Sequence, residues 1–375
     1  MYLKNKELFP RRKTFLFIVT FAVVLFQHVA VSQNVYEKPE ASETQAEKSA
    51  PVLSEQPSQK SEAPAKPDAK IAPASSEQSP KPESAPPKPK YLAGEDPEFA
   101  TKHGWPVEYP TLLPGSIIPE KRIVAYYGNP RSKLMGALGQ YPKDEMLARL
   151  KKEVNNWEKA DPERKVQPAL HLIAVVAQEY PGTAKKHRNI MPDEVIEDVY
   201  GWAKEAGAIL FIDLQLGLDD IRELLPRFEW ILKNPDVHLA LDPEFSMLVS
   251  GKVPGKVIGT NDAKEINYAS EYLRGLVKKY NLPPKIFVIH RFTHNMLTNT
   301  SKITLSPEVA IVINMDGWGS PSLKRATYRD VVVRHPVQFT GFKLFYRNDT
   351  KNENSMLEAH QILRLVPTPL YIQYQ

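Results

Sequence analysis

The chain has 375 residues, a formal net charge of +5 and no cysteine. The missing cysteine excludes disulfides, thiol catalysis and a lipid-modified cysteine. Five of the basic residues precede the first apolar segment and the others are interspersed with acids, so the charge does not point to nucleic acid and we expect no such partner.

Residues 1–33 have the pattern of an export signal, in which lysines and arginines precede an apolar segment at 15–26. Ala30 and Ser32 are small enough for a signal-peptidase site. Extended to Val31, the apolar run approaches but does not comfortably reach the roughly 20 residues that cross a bilayer. The segment is therefore predicted to be a cleaved signal peptide or an N-terminal membrane anchor. Either one makes the protein extracytoplasmic, secreted or held at the membrane.

Residues 34–90 are rich in Pro, Ser, Glu and Lys, and Tyr36 is their only aromatic residue. Such a segment cannot bury enough apolar surface to fold, which predicts a disordered linker. Because proline favours an extended chain of about 3.1 Å per residue, the linker would hold a domain on the order of 100 Å from its anchor. Its position after an export signal suggests a tether through a cell envelope.

From residue 103 to 375 strand patterns and helix patterns alternate, which favours a parallel sheet. The predicted strands are 123–128, 167–178, 208–216, 237–245, 285–292, 309–315, 340–346 and 370–374. The predicted helices are 142–160, 192–206, 219–233, 263–280, 323–333 and 356–365. Any helix within 291–306 must be short.

Eight such strands predict an α/β fold of the TIM type, a closed (β/α)8 barrel. An open doubly wound sheet is the competitor, but no Gly-rich phosphate-binding turn follows the first strand. The eighth strand ends the chain, and residues 107–118 are placed to seal the bottom of the barrel.

Active sites of such barrels lie at the carboxyl ends of the strands, where this sequence repeatedly carries polar residues on the predicted luminal face. A lysine in the lumen requires a carboxylate partner, which Asp316 or Asp213 would supply for Lys343. Tyrosine and tryptophan rings near strand ends could stack on sugars or simply pack. The candidate substrate-binding residues are Tyr126, Tyr127, Gln178, Asp213, Gln215, His290, Asn314, Asp316, Trp318, Lys343 and Gln373.

The fourth predicted strand ends in Asp242-Pro243-Glu244, two carboxylates that would share one face of an extended chain. Glycosidic-bond hydrolysis needs one carboxylic acid to protonate the leaving oxygen and a second group to stabilise or attack the positive centre. Burial beside Asp242 would raise the pKa of Glu244, as an acid working near neutral pH requires. Glu244 is therefore the predicted general acid, with Asp242, Asp213 or Asp316 as its partner.

The segment 241–244 resembles the end of the Asp-x-Asp-x-Glu signature of chitinase-like glycoside hydrolases, and 314–316 resembles their Met-x-Tyr-Asp. The resemblance implies a barrel glycosidase in which the glutamate is the acid and the substrate's acetamido group is the nucleophile. His238 and Ala240 occupy the earlier acidic positions, no tyrosine precedes Asp316, and the Ser-x-Gly-Gly motif is missing, so the nucleophile stays open.

Three functions follow as expectations. The first is hydrolysis of a cell-surface or cell-wall glycan, without a cofactor or metal. The second is a barrel that binds glycan without cutting it, since fold alone does not decide function. The third is a metal-dependent hydrolase whose ligands come from Asp213, Asp242, Glu244, His290 and Asp316.

Overall fold

The computed structural model describes residues 91–375, and the predicted export signal and linker lie outside the described residues. Eight parallel strands form the barrel, and β1 pairs with both β2 and β8, which closes the sheet and confirms the predicted barrel. The barrel strands are β1 (Arg122–Gly128), β2 (Val166–Ala177), β3 (Ile209–Leu214), β4 (Val237–Leu241), β5 (Lys285–Arg291), β6 (Val309–Met315), β7 (Phe339–Leu344) and β8 (Tyr371–Tyr374).

Helices occupy most of the connections between the strands. They are α1 (Pro97–Lys102), α2 (Ala137–Gln140), α3 (Lys143–Ala160), α4 (Asp193–Glu205), α5 (Ile221–Leu224), α6 (Glu229–Leu232), α7 (Ala263–Tyr280), α8 (Pro321–Thr327) and α9 (Ala359–Ile362). The longest, α3 and α7, match their predicted positions closely. Helix α7 begins with a capping box between Asp262 and Glu265 and ends at Asn281, which adopts the left-handed conformation of a helix C-terminus. Among the helices of the described residues, none combines the length and apolar character needed to cross a bilayer.

Three predicted helices differ from the observed ones. The predicted helix 219–233 is split into α5 and α6 by a 3-10 segment, Leu225–Phe228, because Pro226 lacks the N–H that a continuous helix would use. Helix α8 continues as a π-helical segment at Tyr328–Val333. The predicted helix 356–365 is reduced to the single turn α9.

Two further short pairings flank the barrel. Arg188–Ile190 pairs antiparallel with the end of β2, and Asn261–Asp262 pairs with Leu297–Thr298. The stretch 291–306 forms no α-helix and holds two 3-10 turns, His294–Met296 and Thr300–Lys302. Before the predicted start at residue 103, Glu95 pairs with Arg325 and Arg364, which ties the chain around α1 to the barrel domain.

Alternation along each strand separates two apolar cores. The outer core lies between strands and helices and includes Val124, Ile212 and Leu239. The inner core fills the amino-terminal half of the lumen, where Ile118 lies against the luminal side chains of the strands, with Tyr109 and Leu112 packed on it. This packing confirms the prediction that residues 107–118 seal the bottom of the barrel.

The seal provides a direct stability test. Ile118 is fully buried, and its replacement by alanine should lower the free energy of unfolding by about 2–5 kcal/mol through lost burial and an unfilled cavity. Leu113→Ala, in the same segment but 38% exposed, is the control and should change stability by about 0.5 kcal/mol or less. Chemical denaturation of both variants measures the difference. Equal effects would mean that the segment does not close the lumen.

Candidate functional site

Polar side chains from all eight strands or their carboxyl-terminal ends meet in the upper half of the lumen. The members sit on the same alternating face as the apolar seal below, and none is more than 5% exposed. This group, called the luminal cluster below, consists of Tyr127, His171, Asp213, Gln215, Asp242, His290, Asn314, Asp316, Lys343 and Gln373. The structure thus brings together eight of the eleven predicted substrate-binding residues, together with Asp242.

A chain of alternating charges runs through the cluster. Asp213 Oδ2 lies 3.5 Å from His171 Nε2 and 3.6 Å from His290 Nε2. On its other side His290 faces Asp316, with 2.8 Å between Nδ1 and Oδ2. Lys343 Nζ lies 2.9 Å from Asp316 Oδ1 and 3.9 Å from the centre of the Tyr127 ring. Lys343 therefore has the carboxylate partner that a buried ammonium needs.

The pKa values follow from this arrangement. Burial alone would lower the pKa of His290, but Asp316 and Asp213 outweigh it and raise the pKa. Burial favours the neutral form of Asp316, yet Lys343 and His290 dominate and lower its pKa to about 2. For Asp213 burial is likewise outweighed, here by His290 and His171, and the pKa is lowered. His171 shows the opposite balance, because burial lowers its pKa to about 4 despite Asp213.

The turn after β4 carries the two predicted catalytic carboxyls. The prediction of one strand through Phe245 is wrong, because β4 ends at Leu241 and Pro243–Phe245 forms a 3-10 turn. Pro243 has no N–H for a strand ladder and its fixed φ suits the first position of such a turn. Asp242 caps the turn by accepting a hydrogen bond at Oδ1 from the backbone N–H of Glu244, at 3.2 Å.

Both carboxyls of this turn are shifted towards the protonated form. Burial raises the pKa of Asp242 to about 7, with Asp316 and Asp213 adding to the shift and His290 and Lys343 opposing it. Burial, and then the carboxylates of Asp242 and Asp316, raise the pKa of Glu244 well above its usual value, although Lys343 acts in the opposite direction. In this turn burial therefore favours the protonated, uncharged form of both carboxyl groups.

Amide side chains connect the charged residues to the barrel wall. Gln215 accepts a hydrogen bond from the backbone N–H of Ala177 at 3.0 Å, and its amide nitrogen lies 3.4 Å from the Tyr127 hydroxyl and 3.5 Å from Asp242 Oδ2. Gln373 lies 3.1 Å from His171 Nδ1 and accepts a 3.3 Å hydrogen bond from Asn314. Of these contacts only that of Gln215 reaches an acid, and it places the amide nitrogen between Tyr127 and Asp242.

Three predicted residues lie outside the cluster. Tyr126 faces the helical layer, where its hydroxyl contacts that of Tyr346 at 3.0 Å. Gln178 follows the end of β2 and donates to the carbonyl of Tyr180. Trp318 is half-buried beyond β6, with Lys351 Nζ 5.2 Å from its ring centre.

Sequence reasoning missed His171 and Tyr371, which are both completely buried and in hydrogen-bond contact with each other. The signal for His171 was present, because it is an isolated polar residue in the middle of an apolar strand pattern. Within residues 91–375, His171, Asp213 and His290 form a group close enough to share a metal ion, with one donor atom from each within 4.8 Å of the others.

Comparison with known proteins assigns no family to the chain, because no protein-family model matches it and no curated protein is significantly similar. The chemistry of the site therefore has to be argued from its own geometry. The geometry of the site offers two neighbouring carboxyls whose pKa values are both raised, that of Asp242 to about 7, above a set of buried ion pairs. Groups arranged in this way can exchange a proton with a bound molecule near neutral pH.

The raised pKa of Asp242 makes a prediction about stability. The pKa of an aspartate in the unfolded chain is about 3.9, whereas that of Asp242 in the folded protein is about 7. Between about pH 4 and pH 7 the folded protein therefore binds more protons than the unfolded chain, and its stability falls as the pH rises through this range. Asp242→Asn removes this loss. The free energy of unfolding of the variant minus that of the parent should therefore increase over this range, by on the order of a few kcal/mol. Urea denaturation at several pH values measures it, and a difference that falls with pH would contradict the assignment.

Proposed function

We propose that the protein hydrolyses glycosidic bonds in a cell-surface or cell-wall glycan, with Glu244 as the general acid. The observation that carries the proposal is the state of this side chain. Its pKa is well above the usual value, and it is 9% exposed, more than any other acid facing the lumen, against 5% for Asp316 and 2% for Asp242. A protonated acid at the outer side of the group is placed to meet a leaving-group oxygen first.

Asp242 is the partner in this mechanism. The pKa of about 7 lets Asp242 ionise near neutral pH, and the raised pKa of Glu244 favours the protonated form that a general acid needs. The anion would stabilise the positive charge that develops on the sugar ring as the bond breaks. Gln215, whose amide nitrogen lies 3.5 Å from Asp242 Oδ2, would hold that carboxylate in place.

The glycan substrate is supported by features outside the acid pair. The half-buried Trp318 follows β6, and a ring of this kind can stack on a sugar. The export-signal pattern and the proline-rich linker would place the barrel outside the cytoplasm, attached to the membrane if the signal is not cleaved. Cell-envelope polysaccharides are the substrates that such a location supplies.

The second candidate is a barrel that binds glycan without cutting it. It is favoured by the low exposure of the whole group and by the pairing of Lys343 with Asp316, which satisfies both charges inside the protein. In this case the ion pairs would stabilise the lumen, and ligands would contact only its outer edge.

The test compares Glu244→Gln with the parent and with Glu163→Gln, an exposed control in the loop after α3. Release of reducing ends from purified peptidoglycan and from chito-oligosaccharides is measured together with thermal unfolding. Loss of the general acid should lower the rate by about 10²–10⁴-fold, while the control keeps full activity. Full activity in Glu244→Gln would refute the assigned role. Saturable binding of these glycans by a parent protein that releases no product would favour the second candidate.

A further inference from the structure

The lower part of the luminal cluster contains buried polar atoms that the described residues leave without a hydrogen-bond partner. They include His171 Nε2, His290 Nε2 and both carboxylate oxygens of Asp213. All three side chains are 0% exposed. Leaving one buried polar group unsatisfied costs about 1–3 kcal/mol, and more for a charged group. Because Asp213 Oδ2 lies within 3.6 Å of both histidine Nε2 atoms, the three side chains need a common partner.

The distances between these atoms match those between the ligands of one metal ion. At 3.5 Å and 3.6 Å, the two histidine nitrogens are too far from Asp213 Oδ2 for hydrogen bonds, which span about 2.7–3.2 Å. Ligands held about 2.0–2.2 Å from a tetrahedral metal ion lie roughly 3.4 Å from one another. Two edges of the group therefore already have the length that a shared ion imposes, and the group as a whole fits within 4.8 Å.

In each histidine a polar group lies next to Nδ1, the ring nitrogen that faces away from Asp213, as is usual for histidines that bind a metal ion. His290 Nδ1 lies 2.8 Å from Asp316 Oδ2, and Lys343 anchors that carboxylate. His171 Nδ1 contacts the Tyr371 hydroxyl, which also accepts a hydrogen bond from the Gln373 amide. The metal-binding tautomer of His171 would carry its proton on Nδ1, donate it to this hydroxyl and leave Nε2 free for an ion. A carboxylate or another acceptor behind a ligating histidine sets its tautomer and orientation in this way.

We propose that the barrel lumen binds one divalent first-row transition-metal ion through His171 Nε2, His290 Nε2 and the carboxylate of Asp213. Two imidazoles and a carboxylate suit zinc, iron(II), cobalt or nickel better than calcium or magnesium, which prefer oxygen ligands. With both Asp213 oxygens engaged, three residues supply four donor atoms. The site does not depend on the proposed glycosidase activity. Compared with the metal hypothesis made from the sequence, it adds His171 and omits Asp242, Glu244 and Asp316 as ligands.

The metal content of the whole chain tests the proposal. After dialysis against a slight excess of zinc sulfate and removal of free ion, elemental analysis should give one zinc per chain. His171→Asn and Asp213→Asn should each lose it. The matched control is His335→Asn, because His294 Nδ1 and His335 Nε2, 3.1 Å apart on the surface, are another place where two imidazoles meet. Stoichiometric zinc that persists in the luminal variants and disappears in His335→Asn would overturn the proposal.

A second measurement covers variants that fail to fold. Asp316→Asn leaves the three ligands in place and should weaken zinc affinity by about 10–100-fold without abolishing binding. In the parent, saturating zinc should raise the midpoint of thermal unfolding by several degrees, and cobalt should give the visible absorption of a tetrahedral site. A parent that retains none of zinc, cobalt, iron(II) or nickel, and whose unfolding none of them shifts, has no such site. Glu244→Gln should keep its zinc, so failure of the metal site and failure of the glycosidase are separable.

Discussion

Closure of the sheet is the constraint on which the rest of the structure depends. Once β1 pairs with β8 as well as β2, every second side chain of every strand must enter one lumen. The amino-terminal half of that lumen is filled by apolar side chains and sealed by Ile118. The carboxyl-terminal half receives ionisable residues from most of the strands, and there they are cut off from water. The charge of each residue must therefore be neutralised by other residues of the cluster.

The count of charges in that space explains the protonation pattern. Lys343 and His290 are the cations closest to the acids, and they neutralise Asp316 and Asp213. Within residues 91–375 no cation forms a salt bridge with Asp242 or Glu244, so their ionisation would add poorly compensated negative charge to a region of low polarity. Their raised pKa values therefore result from the composition of the whole cluster as much as from the turn that carries them.

Much of this arrangement follows from the alternation of side chains between the two faces of a strand, which can be read from the sequence. It placed Asp213, His290 and Lys343 on the luminal face near the ends of their strands, and the structure brings them together. The same rule, applied to adjacent residues, separates Tyr126 from Tyr127, yet the sequence alone did not say which of the two faces inward. Pro226 and Pro243 were visible signals for a broken helix and an ended strand. They were outweighed by the apolar periodicity around them.

The remaining features depend on contacts between distant segments. His171 becomes a candidate ligand only because Asp213 and His290, from two other strands, come within 3.6 Å of each other at its level. The register shift in β2 between Ile173 and Val175 could not be predicted from the alternation of side chains either, because a bulge adds a residue without a sequence signature of its own. Contacts between residues of different strands are set by the closed barrel and cannot be read from one strand alone.

Depth divides the cluster into two layers with different chemistry. Glu244, at 9% exposure, and Asp242, at 2%, form the upper layer, whereas His171, Asp213 and His290 are completely buried below it. Charge in the lower layer acts on the upper one, since His290 and Asp213 both influence the pKa of Asp242. A divalent ion that replaced the proton of His290 would add one positive charge and favour ionisation of Asp242. Metal binding in the lower layer would then be linked to ionisation in the upper layer, and by reciprocity ionisation of Asp242 would increase the affinity of the proposed site for a cation.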